Sequence, residues 1–366
     1  MVYIYLAICG AMIIFNIVSA ILTKASDKKL YTMDNGFNEY ITNELRNFEK
    51  NGEVNEENKA YLVKKLNRIS NMRAFDLVLD GENLKNPELV KNYLNKLDTV
   101  FIELTIRYSQ KESMKGAFLA YILTKYNVLQ GKPYYPMMDM LYNLLIDQSI
   151  YCRENALQAI YSTGDTISVL RALKILDNSN RTHHPKLITD GLVNFQGNVE
   201  ELNNSLWEAL DRFTLPMQIT ILNYFRFSTG NYCEKFFDLM TDESRNPEIR
   251  FTCIRYFGRY RYDMAFPYLL KFADCTSDLR IEYSIIASTA LATYPFPESI
   301  ERLKANLYSS NWYVRFNSSM SLEKYGLTYL DLIDVIQGHD RYASEILRYR
   351  FDVRDMIEEE RRAGTV

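Results

Sequence analysis

The chain has 366 residues, of which 47% are hydrophobic and 24% are charged, and its formal net charge is −3. This composition is ordinary for a folded protein and leaves room for a sizeable core or a repeat array. No excess of charge points to nucleic acid or to acidic substrates. Glycine and proline number only 14 and 9, and because both residues break helices, their scarcity favours a mostly helical fold.

The N-terminal stretch, residues 2–22, is apolar and carries no charged residue. Its length matches that of a helix crossing the hydrocarbon core of a bilayer. No Lys or Arg precedes it, and three lysines follow it, at Lys24, Lys28 and Lys29. The positive-inside rule then places the N-terminus outside and the rest of the chain in the cytoplasm. A cleaved signal peptide is the alternative, because residues 18–20 (VSA) resemble a cleavage site, but the positive n-region is missing. We therefore predict a single-pass membrane protein.

Two regions separate this predicted transmembrane helix from the main body of the chain. Residues 23–34 are interpreted as a polar linker, and residues 35–114 as an N-terminal helical region that caps the repeats following it. The segment 35–50 illustrates the pattern, because its apolar residues recur at the three- and four-residue spacing of a helix. These residues are Phe37, Ile41, Leu45 and Phe48.

Apolar helical stretches then recur over residues 115–351, with a period of about 30 to 35 residues. Each repeat unit consists of two helices. The second helix carries a basic residue near its start in five units, at Arg153, Lys186, Arg250, Arg280 and Arg315. The unit at 215–231 lacks that residue. One helical hairpin cannot bury both of its apolar faces alone, whereas stacked hairpins share a continuous core. The sequence predicts an all-α fold with about six to seven two-helix repeats and a solvated tail at 352–366.

An acidic residue precedes the arginine by six positions in two of these repeats, as Asp147 with Arg153 and Asp274 with Arg280. This D-x5-R pattern resembles that of the HEAT-repeat (armadillo-like) α-solenoid proteins, over about two-thirds of the chain. The resemblance implies an Asp–Arg ladder between neighbouring repeats. Its members here would be Asp147, Arg153, Asp274, Arg280, Arg250 and Arg315. Serine or asparagine at the other acidic positions implies a weaker ladder in a divergent member.

Catalytic and metal-binding motifs are not found in the sequence. No G-x-G-x-x-G, G-x-x-x-x-G-K-[ST] or G-x-S-x-G pattern occurs. The histidines are His183, His184 and His339, and an adjacent pair cannot direct both rings at one metal from a helix. The five cysteines are odd in number and widely spaced, which argues against a disulfide framework or a zinc site. We expect no catalytic residue, cofactor or metal, and no enzymatic activity.

Arginines and aromatic residues are concentrated in two neighbouring repeats. Arginine forks recognise carboxylates and phosphates, and both residue types are common at protein interfaces. The candidate partner-binding residues are Arg226, Arg255, Arg259, Tyr260, Arg261 and Tyr262. The alternative interpretation is structural, with these arginines paired to nearby acidic residues.

Two functions agree with these features. The first is a membrane-anchored cytoplasmic scaffold that holds a protein partner at the membrane on the inner face of the repeats. A membrane enzyme complex such as a glycan synthase is one candidate partner. The second is a ligand-binding or enzymatic protein with an Arg- and Tyr-lined anion or sugar site between repeats. HEAT-like alkylpurine DNA glycosylases bind DNA in such a groove, but an acidic chain lacks the positive surface that phosphate contacts require.

Overall fold

The computed structural model describes residues 9–20, 35–108, 113–132, 135–179, 181, 183–276 and 279–362. Every regular element in these residues is an α-helix or a short 3-10 helix, and these residues contain no β-strand. The all-α prediction is therefore confirmed. The chain divides into two compact units, an N-terminal unit at Met1–Trp207 and a C-terminal unit at Glu208–Val366.

The N-terminal unit contains twelve helices in its described part. They are α1 (residues 9–20), α2 (Asn35–Asn51), α3 (Glu56–Leu66), α4 (Ile69–Asn83), α5 (Pro87–Asn95), α6 (Asp98–Tyr108), α7 (Ser113–Lys125), α8 (Tyr135–Leu144), α9 (Ile150–Ser162), α10 (Thr166–Asn178), α11 (Pro185–Val193) and α12 (Val199–Ala209), the last of which ends just inside the C-terminal unit. Helix α9 packs against α7, α8, α10 and α11. Buried alanines on α7 and α9 allow these two helices to approach closely, at Ala117, Ala120, Ala156 and Ala159.

The predicted transmembrane helix at 2–22 is not supported. The structure describes a helix at 9–20, and the remaining residues of the predicted span lie outside the described part of the chain, as does the linker at 23–34. Within the described ranges, no helix has both the length and the hydropathy for crossing a membrane. The prediction of a single-pass membrane protein is therefore wrong.

The C-terminal unit is built from helical hairpins. Its helices are α13 (Leu215–Ser228), α14 (Cys233–Thr241), α15 (Pro247–Phe257), α16 (Phe266–Ala273), α17 (Ile281–Ala290), α18 (Pro297–Asn306), α19 (Trp312–Lys324), α20 (Ile333–Ile336) and α21 (Arg341–Arg362). The hairpins are α14–α15, α16–α17, α18–α19 and α20–α21. The second helices, defined as α13, α15, α17, α19 and α21, also pack each on the next. This alternation is compatible with an α-solenoid.

The last helix extends beyond the predicted end of the repeats. Helix α21 ends at Arg362, so it includes residues 352–362 of the predicted tail, while residues 363–366 lie outside the described part. At the other end, the predicted boundary at 114/115 falls inside α7.

Short-range signals in the sequence explain where many of these helices begin. The side chain of Asn246 accepts a hydrogen bond from the Glu248 N–H at 2.9 Å, and Pro247 occupies the first turn of α15. Asn311 accepts from the first turn of α19 in the same way. A side-chain oxygen at this position satisfies an N–H that the helix leaves unpaired, and proline there loses no helical hydrogen bond.

Tyrosines anchor the loops of the C-terminal unit from inside its core. The Tyr256 ring stacks on Phe236 with centroids 3.8 Å apart, and its hydroxyl accepts from the Tyr232 N–H at 3.2 Å. The same hydroxyl donates to the Thr229 carbonyl at 3.0 Å. One repeat later, the Tyr294 hydroxyl accepts from the Tyr262 N–H at 3.0 Å. Buried hydroxyls therefore tie the end of one hairpin to the connection of the previous one.

Candidate functional site

A groove of about 470 Å³ lies across four second helices of the C-terminal unit. Helix α13 contributes Arg226, and helix α15 contributes Arg255. Helix α17 supplies apolar walls at Ile285 and Ile286, and helix α19 contributes Lys324. A volume of this size is in the range of small-molecule and side-chain binding sites. We call this feature the cationic groove.

The cationic groove has positive side chains and no carboxylate in its lining. The lining cations are Arg226, Arg255 and Lys324. Arg259 borders the groove, because it contacts the same ring, Phe227, as Arg226 does. Both guanidinium groups lie over Phe227, at 4.5 Å for Arg226 and 5.6 Å for Arg259. Like charges gathered without an acid disfavour one another, so this arrangement favours an incoming anion.

Other arginines of the C-terminal unit are neutralised by acidic partners. Examples are the ion pairs Arg245–Asp211, Arg261–Asp263, Arg280–Glu282, Arg302–Asp274 and Arg350–Glu323. By contrast, Arg226, Arg255 and the bordering Arg259 form no ion pair with any residue in the described ranges. The cationic groove therefore gathers positive side chains without the acidic partners that these five arginines have.

Arg226 is the least satisfied member of the cationic groove. Its Nε is buried and has no hydrogen-bond partner in the described residues. Burial, followed by the charges of Arg255 and Arg259, lowers the pKa of the Arg226 guanidinium. Because a guanidinium stays protonated in proteins, the charge persists despite this environment. A buried donor without a partner costs about 1–3 kcal/mol.

Arg255 is in a similar environment at the end of α15. Burial within the groove lowers the pKa of its guanidinium, although the charge of Glu248 acts in the opposite direction. The side chain is nevertheless exposed at the surface. Arg255 is therefore accessible to a ligand and is not shielded by an acidic neighbour in contact with it.

The neutral polar groups of the lining already bond the main chain. Thr293 donates its hydroxyl hydrogen to the Gly258 carbonyl at 2.7 Å, and Asn317 donates to the Ile285 carbonyl at 2.8 Å. Gly258 allows this close approach, because a Cβ there would lie 3.0 Å from the Cα of Ala290. The donors left for a ligand are mainly the arginine and lysine groups, so the cationic groove suits an anion better than a neutral ligand.

The structure separates the six candidate partner-binding residues into two groups. Arg226 and Arg255 line the cationic groove and Arg259 borders it. Tyr260 instead packs on the Tyr256 ring, with centroids 4.9 Å apart. Arg261 pairs with Asp263 and lies over a phenylalanine ring, while the Tyr262 ring stacks on Phe257 at 5.9 Å.

The residues of the predicted ladder make several kinds of contact. Three of the arginines donate to main-chain carbonyls, Arg153 to Asp147 at 2.8 Å, Arg250 to Met240 at 2.9 Å and Arg315 to Ser309 at 2.6 Å. Arg280 pairs with Glu282. The Asp274 carboxylate accepts from Thr276 and pairs with Arg302, and Asp147 accepts from the Ser149 N–H.

Sequence reasoning missed the part of the cationic groove that later repeats supply. Lys324, Asn317 and Thr289 follow the arginine-rich segment by one or two repeats. The repeat period was the available signal. The position one repeat period after Arg255 lies in α17, and the position two periods after it lies in α19. These two helices complete the site.

The histidines and cysteines lie elsewhere. His183 Nε2 is 3.0 Å from Glu154 Oε2, and His184 caps α11 by accepting from the Lys186 N–H. In the part of the chain that the structure describes, no group of three or more His, Cys, Asp or Glu side chains is placed to hold a metal. All five cysteines are free thiols.

Comparisons with known proteins give little help. No protein-family model matches the sequence, and no curated protein matches it. A solved structure of human deoxyhypusine hydroxylase in complex with glycerol matches with 15% sequence identity and a TM-score of 0.28, over 81% of this chain and 96% of that chain. Similarity at this level supports no inference about activity.

Proposed function

We propose that the chain is a scaffold of HEAT-like repeats that holds a protein partner through the cationic groove. In this proposal residues 115–351 form the six to seven repeats. The alternating hairpins of the C-terminal unit support the repeat assignment. The observation that carries the function is the set of three positive side chains, Arg226, Arg255 and Lys324, in a groove without a carboxylate.

An acidic segment of a protein is the partner that fits this chemistry. Arginine is enriched among residues that dominate binding energy, because its fork makes two hydrogen bonds to a carboxylate or phosphate. Charge complementarity speeds the encounter and excludes basic partners. The apolar walls at Ile285 and Ile286 would contact the aliphatic parts of the bound segment.

Binding is favoured over catalysis at this site. The lining contains no carboxylate, imidazole or thiol that would act as a nucleophile or as a general acid or base. Its hydroxyl and amide groups at Thr293 and Asn317 are held by main-chain carbonyls. The groove therefore supplies charge and shape, which is what a recognition surface needs.

The test compares partners captured by the full chain and by charge-reversed variants in its native cells. The double variant Arg255→Glu, Arg259→Glu reverses two of the positive charges at exposed positions. Arg341→Glu is the matched control, because this arginine is also exposed but lies at the start of α21, outside the groove. We expect the double variant to lose partners that the wild type and the control retain, with unchanged helicity by circular dichroism. Identical partners for all three proteins would rule out the groove as the binding site.

A further inference from the structure

We infer that the cationic groove binds a phosphorylated side chain of its protein partner. This inference rests on the proposed function and makes it more specific. It starts from the number of positive charges. Arg226, Arg255 and Lys324 line one groove, and Arg259 borders it. A single carboxylate would neutralise one of these charges, whereas a phosphate monoester carries roughly −1.5 to −2 at neutral pH.

The hydrogen-bonding capacity of the groove leads to the same ligand. A phosphate monoester presents three acceptor oxygens, and two guanidinium groups present planar forks that fit them. The buried Arg226 Nε has no partner among the described residues, so this side chain has an unused donor in the resting protein. A carboxylate has only two oxygens and would leave more of these donors unpaired.

The rest of the lining favours a peptide over a nucleic acid. Ile285, Ile286 and Ala290 give the groove aliphatic walls that fit the carbon atoms of a phosphorylated residue. The lining contains no aromatic side chain, and the neighbouring Phe227 ring already lies against the Arg226 and Arg259 guanidinium groups. Stacking on aromatic rings is a main source of affinity for single-stranded nucleic acid. The formal net charge of −3 is also unfavourable for a polyanion.

The experiment measures binding of short degenerate peptides to the full-length protein by fluorescence anisotropy. Three pools share the same random flanks and differ at the central residue, which is phosphoserine, glutamate or serine. We expect the phosphoserine pool to bind at least about tenfold more tightly than the glutamate pool, because of its added charge and third oxygen. Inorganic phosphate should compete only weakly, because it lacks the peptide flanks. A single-stranded oligonucleotide should bind less tightly than the phosphoserine pool.

Variants then assign the binding to the groove. Arg226→Lys keeps the charge but loses the planar fork, and Arg255→Gln removes one charge at an exposed position. Each should weaken binding of the phosphoserine pool by about tenfold or more, while Arg341→Gln, outside the groove, should leave it unchanged. Circular dichroism spectra of all variants should coincide, so that a loss of binding is not a loss of folding.

Each contrary outcome has a distinct meaning. Equal affinity for the phosphoserine and glutamate pools would overturn the phosphate inference and leave the proposed acidic partner intact. Inorganic phosphate that competes as strongly as the peptide would assign the site to a free phosphate ligand, and a tighter oligonucleotide would assign it to nucleic acid. Binding of the phosphoserine pool that is unchanged in the variants of Arg226 and Arg255 would overturn the inference about this groove.

Discussion

The Arg153 guanidinium donates through Nη1 to the main-chain carbonyl of Asp147 at 2.8 Å and to that of Gln148 at 2.9 Å. Arg315 makes the same pair of contacts with the carbonyls of Ser309 and Ser310, at 2.6 and 3.1 Å. The residue six positions before the arginine is an aspartate in one case and a serine in the other. A bond to the main chain does not depend on that side chain, so the arginine can fasten the inter-helix loop in both repeats.

The first prediction separates this loop anchor from a carboxylate ladder. Arg153→Met removes two hydrogen bonds from buried surroundings and should lower the free energy of unfolding by roughly 2 to 3 kcal/mol. Asp147→Asn keeps the side-chain oxygen that accepts from the Ser149 N–H at 2.8 Å, so it should change stability by less than about 0.5 kcal/mol. Urea unfolding followed by circular dichroism measures both. Equal losses in the two variants would instead support the Asp–Arg ladder.

The second prediction concerns the contact between two glycines that lie one repeat apart. A Cβ at Gly197 would lie 2.1 Å from the Gly164 carbonyl oxygen and 2.5 Å from the Phe195 Cζ. Gly197→Ala should therefore lower the free energy of unfolding by at least about 2 kcal/mol, because the main chain must move to make room for the Cβ. Gly81→Ala is the control, since Gly81 lies in α4 with open space around it. Gly81→Ala should stabilise the protein by roughly 0.5 to 1 kcal/mol. A similar loss of unfolding free energy in both variants would contradict the steric explanation.

The third prediction uses acid to test the contact between Glu154 and His183. Burial opposes ionisation of Glu154, but hydrogen bonds from His183 and Gln158 outweigh it and lower the pKa of this carboxyl. A lowered folded pKa stabilises the protein fully above the unfolded pKa of about 4.3. The contribution is lost as the pH falls from there through the folded pKa. The stability difference between wild type and Glu154→Gln should thus shrink as the pH falls below about 4.3. A difference that persists unchanged down to about pH 2 would rule out this linkage.

Several helix ends have causes that can be identified in the sequence, because those causes are local. Pro247 starts α15 beside an asparagine cap, and the glycine at 164 ends its repeat with a φ of +71°, which other residues rarely adopt. Such signals depend on a few neighbouring residues. The same period of about 33 residues also led to the helical hairpins of the C-terminal unit.

The candidate site was only half predictable, because it depends on where a helix ends and how repeats align. Helix α15 ends at Phe257, so Tyr260, Arg261 and Tyr262 fall in the connection to the next hairpin. Their spacing from Arg255 therefore no longer follows the helical turn, and their side chains pack elsewhere. Lys324 joins the groove from a helix two hairpins away, which no local pattern indicates.

Tyrosine also illustrates the limits of composition. The chain has 28 tyrosines, a number that suits half-buried surfaces and contact faces. Several are instead fully buried in the structure, including Tyr161, Tyr224, Tyr256 and Tyr294. The hydroxyls of Tyr256 and Tyr294 contact main-chain groups of loops, an arrangement that depends on the tertiary packing and leaves no trace in the count.

The fourth prediction follows from these buried hydroxyls. Tyr256→Phe leaves the Tyr232 N–H and the Thr229 carbonyl without the hydroxyl that they contact at 3.2 and 3.0 Å. Unpaired buried groups should lower the free energy of unfolding by about 1 to 3 kcal/mol. Tyr313→Phe is the matched control, because that ring is 59% exposed, and it should be neutral within about 0.5 kcal/mol. Thermal unfolding that is unaffected by Tyr256→Phe would show that the hydroxyl does not fasten the loop.

The fifth prediction is that Arg226 contributes little to the stability of the unliganded protein. Its guanidinium is partly buried, its Nε has no partner among the described residues, and Arg255 and Arg259 repel it. Methionine at this position keeps an unbranched side chain against the Phe227 ring while removing the charge. Arg226→Met should therefore leave the free energy of unfolding unchanged or raise it by up to about 1 kcal/mol, as expected where a binding site trades stability for function. Arg153→Met makes the informative comparison, because it removes the same functional group from a position where Nη1 donates to two main-chain carbonyls. If the two substitutions destabilise the protein equally in urea, Arg226 is a structural residue and the groove has no unmet need for an anion.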